Sequence, residues 1–204
     1  MKTLKVIVAD DHAIVRHGLC ALLGTEPGIS VVGEAKDGIE AVEMAKRLSP
    51  DVVVMDIVMP RMDGVEATAA IREALPDVKI VVLTSFGASG KIAHAIEAGA
   101  TGALMKTAED RELVATIRTV ATGARAISPS VRELLDTDPP VQRLTPRQTE
   151  ILQAMARGLT NKEIAKLFDI RTDGVNQHVI AILSRLGAAN RTEAVATALR
   201  HRLI

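Results

Sequence analysis

Over roughly the first 120 residues, short apolar runs alternate with amphipathic segments about five times, the pattern of strand and helix taken in turn. The spacing predicts strands at residues 4–9, 30–34, 52–55, 79–83 and 103–105, each followed by a helix. The runs at 52–55 and 80–83 lack polar alternation, as expected when helices cover both faces of the sheet. An α/β doubly wound, five-stranded parallel sheet is therefore predicted. A helix over residues 108–122 follows, with Gly123 as its stop, and the pattern allows one further short helix over 128–135. Two prolines and two carboxylates in residues 136–140 disfavour both regular structures and read as a linker.

The helix signals that follow are unusually legible. Thr145-Pro146-Arg147-Gln148 is a capping box with proline at the first helical position, and Gly158 closes the helix. Thr160-Asn161-Lys162-Glu163 is a second box, and Asn190-Arg191-Thr192-Glu193 starts another helix on an asparagine cap. Between them a helix runs over residues 173–186, separated from its predecessor by residues 169–172. Four short helices with a turn between the second and third make a helix-turn-helix arrangement. Leu144, Ile151, Leu152, Ile164, Ala165, Val175, Leu183 and Leu186 recur at helical spacing and are its expected core. The organisation is then a first domain over 1–122, a linker over 123–142 and a small all-α domain over 143–204.

Composition narrows the class. Apolar residues make up 48% of the chain but only Phe86 and Phe168 are aromatic, so the cores are aliphatic. The single cysteine, Cys20, cannot form an intramolecular disulfide, and no apolar run reaches the roughly 18–20 residues needed to span a bilayer. Residues 1–9 lead straight into a strand without a signal-peptide pattern. The expected location is cytoplasmic, with no membrane partner. Net charge is zero, which alone argues against a nucleic-acid binder, but its distribution points the other way: residues 143–204 carry +5 and the remainder −5.

Chemistry collects at the carboxyl ends of strands in such a sheet. Asp10 and Asp11 follow the first strand, Asp56 ends the third, Thr84 the fourth and Lys106 the fifth. Each alone has an ordinary reading: a helix cap, a turn residue or a solvated surface charge. Together, three carboxylates repel one another and raise each other's pKa unless a cation neutralises them. Hard oxygen ligands with no histidine or cysteine nearby point to Mg²⁺. An aspartate in such a site can attack phosphorus to give an acyl phosphate if a metal and fixed cations spread the developing charge. Mg²⁺, the Lys106 ammonium and the Thr84 hydroxyl suit those roles.

Residues 1–122 resemble the flavodoxin-like receiver domain of bacterial two-component response regulators. The likeness rests on Asp10-Asp11, on Asp56-Ile57-Val58-Met59-Pro60 continuing to Met62-Asp63-Gly64, on Thr84-Ser85, and on Gly99-Ala100 leading to Lys106. The resemblance implies that Asp56 is the phosphoacceptor and Asp11 the principal metal ligand, with Asp10 and the Val58 backbone carbonyl in support. It likewise implies Thr84 as switch hydroxyl and Lys106 as phosphoryl-binding cation. Two positions depart from the pattern. Many receivers have an inward-turning aromatic three residues before the lysine, and this chain has Ala103. A cis proline often follows the lysine, and here Thr107 stands there, leaving the isomer of that bond open.

Residues 143–204 are similar to the LuxR-type helix-turn-helix of the NarL/FixJ family. The carrying residues are Leu144 to Arg147, Ile151-Leu152, Gly158 to Ala165, Val175, His178, Leu186 and Asn190 to Ala194. The resemblance implies double-stranded DNA as a partner, phosphate contacts from Lys162, Arg185 and Arg191 with the helix start near Asn161 aimed at the backbone, and base readout by the exposed face of the third helix. The family usually has Thr-Val-Lys-x-His and a further cation two positions on, whereas this chain has Gly174-Val175-Asn176-Gln177-His178 and Ile180. Asn176 and Gln177 favour adenine edges by bidentate hydrogen bonds and Ile180 suits a thymine methyl. Loss of two cations weakens non-specific binding and flattens its salt dependence. His178 has no Cys or His at ligand spacing and is a core or phosphate-side residue.

By resemblance, then, the chain is identified as a DNA-binding response regulator in which phosphorylation of Asp56 by a sensor histidine kinase promotes homodimerisation and controls transcription. The alternative is a receiver that dimerises and regulates DNA binding independently of phosphorylation, since Ala103 removes the usual switch ring. The third option, a phosphatase with an aspartyl nucleophile, is disfavoured because the second acid such enzymes need two residues on is Val58. No enzymatic activity is expected beyond the receiver's own phosphoryl transfer and dephosphorylation.

Overall fold

The computed structural model describes residues 3–85, 89–137, 144–201 and 203–204. Phe86, Pro139 and Pro140 of the expected linker, and the cations Arg143 and Arg202 lie outside the described residues. The chain divides into two compact units, Met1–Pro139 and Pro140–Ile204.

In the first unit, strands β1 (Leu4–Ala9), β2 (Ile29–Ala35), β3 (Val52–Asp56), β4 (Lys79–Thr84), β5 (Gly102–Met105) and β6 (Ala126–Ile127) alternate with helices α1 (Ala13–Gly24), α2 (Gly38–Leu48), α3 (Gly64–Ala74), α4 (Ser89–Glu97) and α5 (Asp110–Ala121). Helix α6 (Pro129–Thr137) follows β6. The sheet is parallel throughout, in the order β2-β1-β3-β4-β5-β6. It has six strands where five were expected. The extra strand is two residues long, pairing Ala126 and Ile127 with Gly102 and Ala103, too short to leave a periodic signal.

Alternate strand residues point to opposite faces, which is why the central runs are apolar without interruption. Ile7, Val53, Met55, Ile80, Val82 and Ala103 meet α2, α3, α4 and α6 through residues such as Ala41, Ile71, Ile92 and Val131. Val6, Val8, Val52, Val54, Val81 and Leu104 meet α1 and α5 through Leu23, Leu113 and Ile117. Ala103 is fully buried in the first of these layers. The Lys106–Thr107 peptide, whose isomer was open on sequence, is trans.

The second unit comprises α7 (Pro146–Ala156), α8 (Asn161–Leu167), α9 (Thr172–Leu186) and α10 (Arg191–Arg200). Thr145 and Thr160 each complete a capping box, and Asn190 accepts a hydrogen bond from the Glu193 amide, so the three helix starts form as their sequences dictate. Ile151, Leu152, Ile164, Ala165, Val175 and Leu186 are buried, joined by Met155, Ile182, Ala194 and Ala198. Leu144 and Leu183 are only partly buried against this core. Both were expected inside it; on α9 the inward stripe runs through Val175, Ile182 and Leu186, leaving Leu183 on its flank.

Candidate phosphoacceptor site and nucleic-acid interface

Strand order brings the ends of β1, β3 and β5 together although their residues are far apart in the chain. Asp10 and Asp56 are buried while Asp11 and His12 are exposed, and one ligand atom from each of the four lies within 4.8 Å of the others. Lys106 bridges two of them, its Nζ donating to Asp10 Oδ2 at 2.8 Å and Asp56 Oδ2 at 2.7 Å. The Val58 amide donates to the other Asp56 oxygen at 3.3 Å. Thr84 is buried at the neighbouring strand end, where its hydroxyl donates to the Ser85 carbonyl at 3.2 Å, and its own carbonyl accepts from the Lys106 amide. The fold thus gathers Asp10, Asp11, Asp56 and Lys106; among the described residues, the Thr84 hydroxyl is committed to the loop instead.

His12 corrects the expectation that no histidine stands near the carboxylates. Its Nδ1 is 2.8 Å from Asp11 Oδ1 and 3.5 Å from Asp10 Oδ1, while its amide donates to Asp10 Oδ1. The signal was in plain view, since His12 directly follows the pair, but only the turn into α1 shows its ring folding back.

Burial pushes the Asp56 carboxyl above the usual range; the hydrogen bond and charge of Lys106 pull it back, and neighbouring Asp10 pushes it up again. For Lys106, burial opposes the charge, but hydrogen bonds to Asp10 and Asp56 more than offset it and raise its pKa. Three carboxylates against one ammonium leave two negative charges, which a single divalent cation balances, and the predominantly oxygen donor set suits a hard ion. The residues therefore fit Mg²⁺.

Gly64 shows how closely α3 approaches this site: a Cβ there would lie 2.2 Å from the Asp56 carbonyl oxygen. Its amide donates to the Ile57 carbonyl at 2.9 Å, and Asp63 caps α3 in a capping box with Glu66. Asp63 also accepts from Lys91 of α4 at 2.9 Å. In the sequence Asp63-Gly64 is legible only as part of a motif and Lys91 carries no signal of its own, because the pair is 28 residues apart.

In the second unit, Lys162 near the start of α8 is exposed, as are Asn176, Gln177 and Ile180 on one side of α9, Ile180 at 67%. Arg185 is half-buried in the last turn of α9, and His178 is half-buried. Asn176 does not stand free for bidentate readout: its Oδ1 accepts from Asn161 Nδ2 at 2.8 Å. Arg191 is likewise engaged, donating to Asn161 Oδ1 at 3.2 Å and to the Leu159 carbonyl. Burial pulls its pKa below the usual guanidinium range.

Comparison with known proteins places both halves. A family model described as the response regulator receiver domain matches residues 6–118, and one described as bacterial regulatory proteins, luxR family, matches residues 142–198. The chain is 42% identical over 209 residues to the transcriptional regulatory protein LiaR of Bacillus subtilis, covering 98% of this chain and 99% of that protein. Among solved structures it is similar to the response regulator ChrA of a heme-sensing two-component system, at 36% identity, TM-score 0.61 and full coverage of both chains. It is also similar to RcsB of Salmonella enterica serovar Typhimurium bound to a promoter in the presence of the phosphomimetic BeF3−, at 25% identity and TM-score 0.70, covering 98% and 99%. RcsB is further known as two dimers bound to two parallel DNAs, at 25% identity and TM-score 0.68, covering 98% and 99%.

Proposed function

The chain belongs to the NarL/FixJ family of two-component response regulators, a receiver joined to a LuxR-type DNA-binding domain, and from that premise we propose that phosphorylation of Asp56 promotes homodimerisation and thereby controls transcription. The observation that carries this reading is Lys106 bridging Asp10 and Asp56 beside Asp11 at the carboxyl ends of the parallel strands. An Asp56 carboxylate oxygen attacks the phosphorus of a phosphoryl donor, a kinase phosphohistidine or acetyl phosphate, and the bond to the donor breaks with its electron pair leaving on the donor. Lys106, held at the site as an ammonium, pairs with the incoming phosphoryl oxygens, and Thr84 supplies a hydroxyl once released from the Ser85 carbonyl. Asp11, Asp10, Asp56 and the Val58 carbonyl would hold Mg²⁺, which when bound supplies neutralisation of charge on the transferred group. The receiver does no other catalysis than its own phosphoryl transfer and dephosphorylation.

Residues 1–122 act as receiver and 143–204 as the DNA-binding module. Lys162 and Arg185 contact phosphates, the start of α8 at Asn161 faces the backbone, and α9 offers Asn176, Gln177 and Ile180 to bases. Arg191 serves the interface from α10. RcsB forms dimers on DNA and is seen on a promoter with a phosphomimetic, which supports the same coupling here. The working protein meets a sensor histidine kinase and duplex DNA in the cytoplasm; among the described residues no helix is long and apolar enough to cross a membrane.

Ala103 favours a second reading, dimerisation and DNA binding without phosphoryl transfer, because no ring is present to turn inward when Thr84 moves. One experiment separates them. Wild type and Asp56→Ala are incubated with and without acetyl phosphate and Mg²⁺, and phosphate uptake, oligomeric state and DNA retention are measured. The first reading expects uptake, dimer and tighter retention only in treated wild type; equal retention in all four samples selects the second.

A further inference from the structure

We infer that Asn161, acting through Asn176, sets the base preference of the recognition helix by presenting a hydrogen-bond donor, and not a donor–acceptor pair, to the DNA major groove. The inference deepens the reading of α9 as the base-contacting helix and rests on it.

Arg191, the first residue of α10, sets the direction of the chain of hydrogen bonds. A guanidinium has five N–H donors and no acceptor, so whatever it bonds must accept. Its contact to the Leu159 carbonyl anchors it in the structure, and its other branch reaches Asn161 Oδ1 at 3.2 Å. Asn161 must therefore turn its oxygen toward Arg191. Its Nδ2 then points to α9, where it donates to Asn176 Oδ1 at 2.8 Å. A carboxamide can face either way in isolation, but here a group that can only donate fixes both in succession. With Oδ1 of Asn176 held by α8, its NH₂, on the same carbon but well away from the oxygen, is the atom left to the exposed side of α9, where Gln177 and Ile180 are exposed as well.

An asparagine recognises adenine by using both atoms at once, donating to N7 and accepting from the N6 amino group. Turning the oxygen inward takes that mode away. What remains is a donor, the character of the lysine that the family usually places at this position, without its charge. The matching base edges are those rich in acceptors: guanine, with O6 and N7, and thymine O4. The adenine preference expected from residue type alone is overturned by a neighbour 15 positions earlier that need not touch a base.

The polarity of the chain can be reversed with one substitution. In Asn161→Asp the carboxylate still accepts from Arg191, but it has no donor for Asn176, so the Asn176 amide turns its NH₂ inward and shows Oδ1 to the groove. The outward acceptor then favours cytosine N4 or adenine N6. Added negative charge lowers overall affinity, so the readout must be base preference and not affinity. The experiment is selection from a library of duplex DNA with a randomised core, using full-length wild type, Asn161→Asp and Asn161→Ala, treated with Mg²⁺ and acetyl phosphate, with thermal unfolding to confirm folding.

Wild type is expected to enrich guanine or thymine at one position per half-site. Asn161→Asp is expected to shift that position by about tenfold toward cytosine or adenine, with the rest of the motif unchanged. Asn161→Ala, which frees the amide, is expected to move it toward adenine. A motif identical in wild type and Asn161→Asp, or adenine at that position in wild type, overturns the proposal while leaving base readout intact. No enriched motif in wild type overturns the readout itself, and the proposal with it.

Discussion

At the scale of single residues, burial sets the chemistry of two side chains in opposite contexts. Burial pushes the Cys20 thiol up to about 11, with the charge and hydrogen bonding of Glu34 adding to it. Relative to the ordinary value of 9.0, this leaves roughly a hundredfold less thiolate at neutral pH. Cys20 is therefore expected to alkylate slowly with iodoacetamide at pH 8 in the folded protein and rapidly in urea; equal rates would show that the site does not suppress the thiolate. Because the folded value is raised, the thiol's contribution to stability is fully present below pH 9.0 and is lost as pH rises through about 11. Asp56 has the same sign in the acidic range. Its carboxyl is raised from 3.8 chiefly by burial, so its contribution is present below 3.8 and is lost as pH rises through the folded value. Asp56→Asn is accordingly expected to raise Tm at pH 7 without Mg²⁺, the gap narrowing as pH falls toward the ordinary carboxylate range and shrinking when Mg²⁺ is added to wild type. A Tm unchanged or lowered at pH 7 would mean that Lys106 outweighs the burial.

At the scale of elements, α3 and α4 meet at one side chain. Asp63 caps α3 with one oxygen and holds Lys91 of α4 with the other, while Gly64 beside it leaves no room for a Cβ against the Asp56 carbonyl. With Ala103 in place of a ring, this bridge gives α4 a polar connection to the loop that follows Asp56. Asparagine caps helices as well as aspartate does, so the two functions of Asp63 separate cleanly. In urea unfolding followed on the receiver, Asp63→Ala is expected to cost about 1–2 kcal/mol for cap and ion pair together, and Asp63→Asn less than about 1 kcal/mol for a partly exposed pair. Equal losses would assign the whole effect to Lys91. The caps of α7, α8 and α10 were legible in sequence because an N-cap needs only residues three apart, whereas that of α3 at Asp63 was not read as one. The sheet's sixth strand was not legible, because Ala126 and Ile127 become a strand only through pairing with β5.

At the scale of the whole molecule, among the described residues the receiver's two core layers and the core of the helical bundle share no residue. Ile151 is fully buried in the smaller core, and truncating a buried isoleucine costs about 2–5 kcal/mol, a large share of what a unit of that size holds. In the full chain, Ile151→Ala is expected to abolish DNA retention at 37 °C while Asp56 still takes up phosphate from acetyl phosphate; loss of both together would show that the units do not fold independently. Sequence alone determined five of the six strands, the aliphatic cores and the starts of α7, α8 and α10, because these depend on periodicity and on hydrogen bonds within a few residues, and it grouped Asp10, Asp11 and Asp56 because chemistry collects at strand ends. Only the tertiary structure decided that Lys106 lies between Asp10 and Asp56, that His12 folds back onto the carboxylates, and that Asn161 engages the Asn176 oxygen. The Lys106 and Asn161 contacts join groups distant in the chain, and that of His12, though local, depends on the turn into α1; residue type alone fixes only what a side chain is able to bond, not what it does bond.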